Sequence, residues 1–138
     1  MFENPSDEAR HALLQRVKSI AVVGLSPKPE RPSYFVAKAM QDFGYEIIPV
    51  RPAVAEVLGE KAYARLSEIP GQIDLVDVFR AAEYIDSIVD ECIALKVSAI
   101  WIQEGILNET AAKRAQAAGI TVVMDRCIYK DYVSLMTI

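Results

Sequence analysis

The sequence predicts an α/β domain of the Rossmann type, with a five-stranded parallel sheet in the order 3-2-1-4-5 and helices on both faces. Two observations predict it. Short apolar runs rich in β-branched residues alternate with amphipathic stretches along the whole chain, a pattern that builds parallel strands joined by right-handed crossovers. The length of 138 residues suits one domain, 1–138, with a core large enough to need no disulfide or metal.

The elements follow in order. Asp7 to Lys18 reads as a helix, with Ala9, Leu13, Leu14 and Val17 on one face. Ile20 to Val23 is a buried strand that stops at Gly24, and Leu25 to Pro32 holds three prolines and is a loop. Ser33 is expected to cap a helix that buries Val36, Ala37, Met40 and Phe43 and ends at Gly44. Tyr45 to Val50 is the second strand. Arg51 to Gly71 is the least regular stretch, with one short turn over Ser67 to Ile69. Ile73 to Phe79 is the third strand, and Glu83 to Lys96 a helix with Ile85, Ile88, Val89, Cys92 and Ile93 at helical spacing. Ser98 to Ile102 is the fourth strand. Asn108 caps an alanine-rich helix ending at Gly119, Thr121 to Met124 is the fifth strand, and a short tail follows.

Composition narrows the function classes. A net charge of -4 argues against nucleic acid as the main partner, while leaving room for a local basic pocket for a small anion. The two cysteines, Cys92 and Cys127, are far apart and lack metal-ligand spacing, which suits a reduced, cytoplasmic protein. The polar, acidic start is not a signal peptide, and no apolar run approaches the ~20 residues needed to span a bilayer. No metal site is expected.

In a doubly wound sheet, ligands bind outside the carboxyl ends of the strands. After the first strand, Gly24 lets a ligand approach the backbone, and Ser26, Lys28 and Ser33 can donate to a pyrophosphate beside the start of the next helix. On this reading Gly24→Val abolishes binding and leaves the fold largely intact. The loop does not match the dinucleotide fingerprint, because the second and third glycines of G-x-G-x-x-G fall on Ser26 and Pro29. After the second strand stands Arg51, then Pro52, where an NAD enzyme usually has an acidic residue. A cation there favours a phosphate on the ribose, which fits coenzyme A or NADP. The third strand ends with Phe79, able to pack on an adenine ring, and Arg80, able to reach a phosphate. Gln103 and the Gly105 backbone are expected at the same crevice, Trp101 in the core, and Asp125 with Arg126 as an ion pair.

Taken together, these residues resemble the small stand-alone CoA-binding domain proteins (the CoA-binding-2, or YccU-like, family). These are similar in turn to the CoA-binding domain of succinyl-CoA synthetase α subunits. The matching stretches are IAVVGLSPKPERPSYFVAKAM, GYEIIPV, Val57 to Glu60, DLVDVFR, WIQEGI with Asn108-Glu109, and AGITVVMDRC, which together span about Ile20 to Cys127. The resemblance implies coenzyme A or an acyl-CoA as ligand. It puts Gly24, Leu25, Ser26 and Lys28 near the pyrophosphate, and Val50, Arg51 and Pro52 around the ribose phosphate and adenine. It puts Val78, Phe79 and Arg80 beside the adenosine or pantetheine arm, and Gln103 near the pyrophosphate or arm. The chain departs from the family at one point: the family commonly has asparagine, proline and a basic residue after the second strand, and here the order is Arg51-Pro52-Ala53.

No complete catalytic apparatus is evident. Succinyl-CoA synthetase chemistry uses a phosphorylated histidine, and the single histidine, His11, precedes the binding fold. Cys127 lacks a histidine partner. A CoA-binding module is the leading class. An NADP-dependent oxidoreductase, or a CoA-linked enzyme using Cys127, is the alternative.

Overall fold

Ser19–Val23 (β1) is buried along its whole length, so it needs cover on both faces and a strand on each side. A computed structural model, which describes residues 2–136, supplies both. β1 pairs in parallel with Glu46–Val50 (β2) and with Leu75–Val78, and the sheet continues through Ala99–Ile102 to Thr121–Met124. Glu56–Val57 (β3) and Glu60–Lys61 (β4) form a separate antiparallel hairpin, which makes the last three sheet strands β5, β6 and β7.

The fold class is as the sequence predicts, but the strand order is not. The order is β2-β1-β5-β6-β7. Counting sheet strands alone, that is 2-1-3-4-5, where 3-2-1-4-5 was expected. Pro49 gives a physical reason. The Pro49 carbonyl accepts from the Tyr63 N–H (3.0 Å), and the Arg51 N–H donates to the Tyr63 carbonyl (2.8 Å), so these positions face away from β1. A proline there cannot donate to a further strand, which suits β2 to an edge and not to a central place. The third strand therefore crosses to the other side of β1. Its connection carries the hairpin and a single 3-10 turn, Leu66–Glu68, in place of a crossover α-helix.

Among the described residues, five α-helices cover the sheet. Asp7–Arg16 (α1), Pro32–Asp42 (α2) and Ile128–Met136 (α5) lie on one face, where Leu13, Leu14, Val36 and Met40 pack on Ile20, Val22, Ile47 and Trp101. Ile85–Leu95 (α3) and Glu109–Ala117 (α4) lie on the other, where Ile88, Val89, Cys92, Ala112 and Ala115 pack on Val76, Val78, Ile100 and Val122. The short tail expected after the fifth strand is helix α5. It is tied to α1 by a buried ion pair, Arg10 Nε to Asp131 Oδ2 at 3.0 Å. Arg126 reaches the same carboxylate through two hydrogen bonds of 2.7 and 2.6 Å. The expected Asp125–Arg126 pair is thus replaced: Asp125 accepts from the Gly105 N–H at 2.7 Å.

The chain leaves β1 for α2 on one face and leaves β5 for α3 on the other. The carboxyl ends of these neighbouring strands therefore open a crevice, the place where doubly wound sheets bind ligands.

Candidate ligand-binding site

At that place lies a cavity of about 530 Å³, within the usual range for small-molecule sites, lined by Gly24, Ser26, Arg31, Pro32, Ser33, Arg51, Pro52, Phe79 and Arg80. Three of these residues are arginines and none is acidic, in a chain whose net charge is -4. The cavity is thus a local cationic site on an acidic protein.

Gly24 ends β1 with φ +87°, and its N–H donates to the Val50 carbonyl at 2.9 Å. A Cβ at this position would stand 2.5 Å from the Phe79 carbonyl oxygen and 3.0 Å from Arg80 Cδ. Glycine is therefore demanded first by the packing of the β1 exit on the β5 exit. This corrects the expectation that a side chain here would affect ligand approach alone.

Ser26 and Ser33 are both nearly buried, and the loop is folded around their hydroxyls. The Ser26 N–H donates to Ser33 Oγ (3.0 Å), and the Lys28 N–H donates to Ser26 Oγ (3.1 Å). Each hydroxyl thus spends acceptor capacity on the backbone and keeps its own hydrogen to donate to an anion. Ser33 is not the helix cap that the sequence suggests. Arg31 is the cap and Pro32 the first helical residue, which leaves Ser33 as the second. Proline fits there because the first amide has no intrahelical partner.

The start of α2 differs from the other helix starts. α1, α3, α4 and α5 each carry an acidic residue in the first turn, and α2 carries none. It has Arg31 instead, where the helix dipole disfavours a cation by roughly 0.3–1 kcal/mol. An anion seated between Arg31 and the helix end would reverse the sign of that term.

Arg51 Nη1 donates to the Gly24 carbonyl at 3.3 Å, which holds the guanidinium beside the β1 exit with most of its donors unused. The Arg80 guanidinium lies 4.0 Å over the Tyr84 ring. This cation–π contact holds the guanidinium beside Tyr84. Phe79 is half-buried in the same lining, its N–H bonded to the Val23 carbonyl at 2.8 Å.

The other residues singled out in the sequence lie elsewhere. Leu25, Val50 and Val78 are buried in the core and do not line the cavity. Lys28 is exposed and outside the lining. Gln103 is also outside it: its Nε2 donates to Asp77 Oδ1 at 2.5 Å, inside the protein. Burial pushes the Asp77 carboxyl up to about 7, with the Gln103 hydrogen bond acting in the opposite direction. Trp101 is core, as expected, with Nε1 donating to the Arg126 carbonyl at 2.9 Å. Cys127 is partly exposed and does not line the cavity, whereas Cys92 is buried, its thiol pushed up to about 12 by burial. Arg31 and Pro32 were missed. A basic residue followed by proline at a helix start was the signal, since a cation is out of place there without an anion.

Among the described residues no group of three or more histidine, cysteine, aspartate or glutamate side chains is placed to hold a metal ion, and no helix is long and apolar enough to cross a membrane.

The sheet order and the arginine-lined crevice at its switch point define the doubly wound, Rossmann-like class. Residues 18–132 match the family model of the CoA binding domain, and the chain belongs to that family. It is 48% identical over 127 residues to the protein YneT of Bacillus subtilis, covering 92% of this chain and 94% of that one. It is 34% identical over 76 residues to the alpha subunit of ADP-forming acetate–CoA ligase II of Pyrococcus furiosus, covering 54% of this chain and only 17% of that subunit. Among solved structures, a protein from Pyrococcus horikoshii OT3 superposes with a TM-score of 0.92 at 35% identity, covering 99% of this chain and 100% of that one.

Proposed function

We propose that the protein binds coenzyme A, or an acyl-CoA, in the crevice at the ends of β1, β2 and β5, as a binding module without catalytic groups of its own. The observation that carries this reading is the set Arg31, Arg51 and Arg80 around one cavity with no acidic residue in its lining. Family membership supports the choice of coenzyme A among phosphate-bearing ligands. In this reading the pyrophosphate sits against the Ser26 and Ser33 hydroxyls and the start of α2. Arg51 takes the ribose 3′-phosphate, and Phe79 with Pro52 takes the adenine. Arg80 closes the anion site from the β5 side, and the pantetheine arm runs outward past the ends of β5 and β6.

NADP shares the ribose phosphate and is the second reading, favoured by the same Arg51. Calorimetric titration with coenzyme A, 3′-dephospho-coenzyme A, NADP and NAD separates them. A charge-assisted hydrogen bond of roughly 1.5–3 kcal/mol makes coenzyme A about 10- to 100-fold tighter than its dephospho form. Equal affinity for those two removes Arg51 from the phosphate site. Tighter binding of NADP than of coenzyme A replaces this reading with an oxidoreductase.

A further inference from the structure

The carboxyl edge of the sheet differs in charge from one side to the other. Among the described residues, Arg31, Arg51 and Arg80, around the ends of β1, β2 and β5, pair with no carboxylate. Arg126 and Lys130, which follow β7, are both paired: Arg126 with Asp131, and Lys130 Nζ with Glu104 Oε1 at 2.9 Å. Polar groups beyond β6 are engaged as well. Gln103 Nε2 donates to Asp77, the Gly105 N–H to Asp125 Oδ1, and the Ile106 N–H to the Gln103 carbonyl at 3.1 Å. Asn108 Oδ1 accepts from the Ala111 N–H. No residue of β6, β7 or the loops that follow them lines the cavity, so the cationic site stops at β5.

Resting on the reading of this cavity as a coenzyme A site, we infer that the protein grips the nucleotide end alone. The pantetheine arm and its thiol stay in water, so free coenzyme A and acyl-CoAs of any chain length bind alike. Coenzyme A has the matching asymmetry: its phosphates are at the nucleotide end, and its arm is neutral and carries amides. An amide taken out of water without a new partner weakens a complex, and the side chains named beyond β6 already have partners. In water the amides of the arm remain satisfied. Within the loop after β6, Leu107 is the well-exposed large apolar side chain, and one such group does not enclose an acyl chain. A module of this kind does not select the acyl group. It holds a thioester within reach of a separate enzyme that forms or consumes it.

The test is calorimetric titration of the full chain with coenzyme A, 3′-phospho-ADP, acetyl-CoA and hexanoyl-CoA, joined to a thiol-reactivity measurement. All four ligands are expected to bind within about threefold of one another, because the arm adds little. An acyl chain buried by the protein would instead tighten binding about fourfold per methylene, so hexanoyl-CoA over a hundredfold tighter than acetyl-CoA overturns the inference. So does coenzyme A bound tightly where 3′-phospho-ADP is bound more than tenfold less tightly. The second measurement uses Cys127→Ser protein in excess over coenzyme A, which leaves only the buried Cys92 as a protein thiol. An aromatic disulfide reagent is expected to react with the bound coenzyme A thiol within about twofold of its rate with free coenzyme A. Protection of tenfold or more places the thiol inside the protein and overturns the inference. Each of these results leaves the coenzyme A site itself standing, whereas no binding of any of the four ligands removes the site and the inference together.

Discussion

Asp77→Asn is expected to stabilise the protein in a pH-dependent way. Asp77 lies within the central strand β5, beside Val22 of β1 and Trp101 of β6, and only 1% of it is exposed. Burial raises its pKa from 3.8 to about 7, so the folded protein holds this proton more tightly than the unfolded chain does. The contribution of the protonated carboxyl is fully present below pH 4 and is lost as pH rises through about 7. With about 1.4 kcal/mol per pH unit over that interval, the ionised carboxylate costs roughly 4 kcal/mol at pH 8 and less than half of that at pH 5. Asparagine keeps a carbonyl for the Gln103 Nε2 donor and never ionises. The stability difference between Asp77→Asn and wild type should therefore grow by about 2–3 kcal/mol from pH 5 to pH 8. Urea denaturation of both proteins at the two pH values measures this directly. Packing effects of the substitution are the same at both and cancel. A difference that does not change with pH refutes the assignment of a buried, proton-holding carboxyl.

Three further outcomes follow from the geometry. Gly24→Ala places a Cβ against the Phe79 carbonyl at a φ of +87° and should lower stability by at least about 1–2 kcal/mol, measured by thermal or urea unfolding. A fully stable variant would mean that the β1 exit is not packed as described. Asp131→Ala leaves the nearly buried Arg10 without its α5 partner and should cost about 3 kcal/mol, with little relief from added salt, in urea titrations at low and high ionic strength. A loss below 1 kcal/mol or so would show that this pair does not hold α1 to α5. A thiol reagent should modify Cys127 in the native protein and Cys92 only after unfolding, because the second is buried and its thiol is raised to about 12. Native labelling of both, read by intact mass and peptide mapping, would contradict this.

Much of the fold was legible because its signals are local. Runs such as Ile20 to Val23 and Ala99 to Ile102 are continuous apolar strands, and Asn108 is a helix cap whose side chain accepts the Ala111 N–H at 3.0 Å. Strand order depends on which strand can sit at an edge, and the informative residue is Pro49, inside the strand Glu46–Val50. The β3–β4 hairpin was hidden because its two-residue turn uses Leu58 at φ +56° before Gly59, and leucine is not a turn-forming residue. Helix α5 was hidden because Cys127, which precedes it, is not a capping residue. At the crevice, Ser26, Ser33, Arg51, Pro52, Phe79 and Arg80 were visible as polar, basic or aromatic groups at strand and helix ends, and all line the cavity. Gln103 was not separable from them by position. Its amide points inward because Asp77, an acidic residue inside an apolar strand, needs a donor.

The most direct test of the central claim is a titration of isotopically labelled protein with coenzyme A, followed by backbone amide NMR shifts. The expected result is saturable shifts at Gly24, Ser26, Ser33, Arg51, Phe79 and Arg80, with the amides of Tyr129 to Val133 unmoved. No shifts at excess coenzyme A, or shifts confined to another face of the protein, would contradict it.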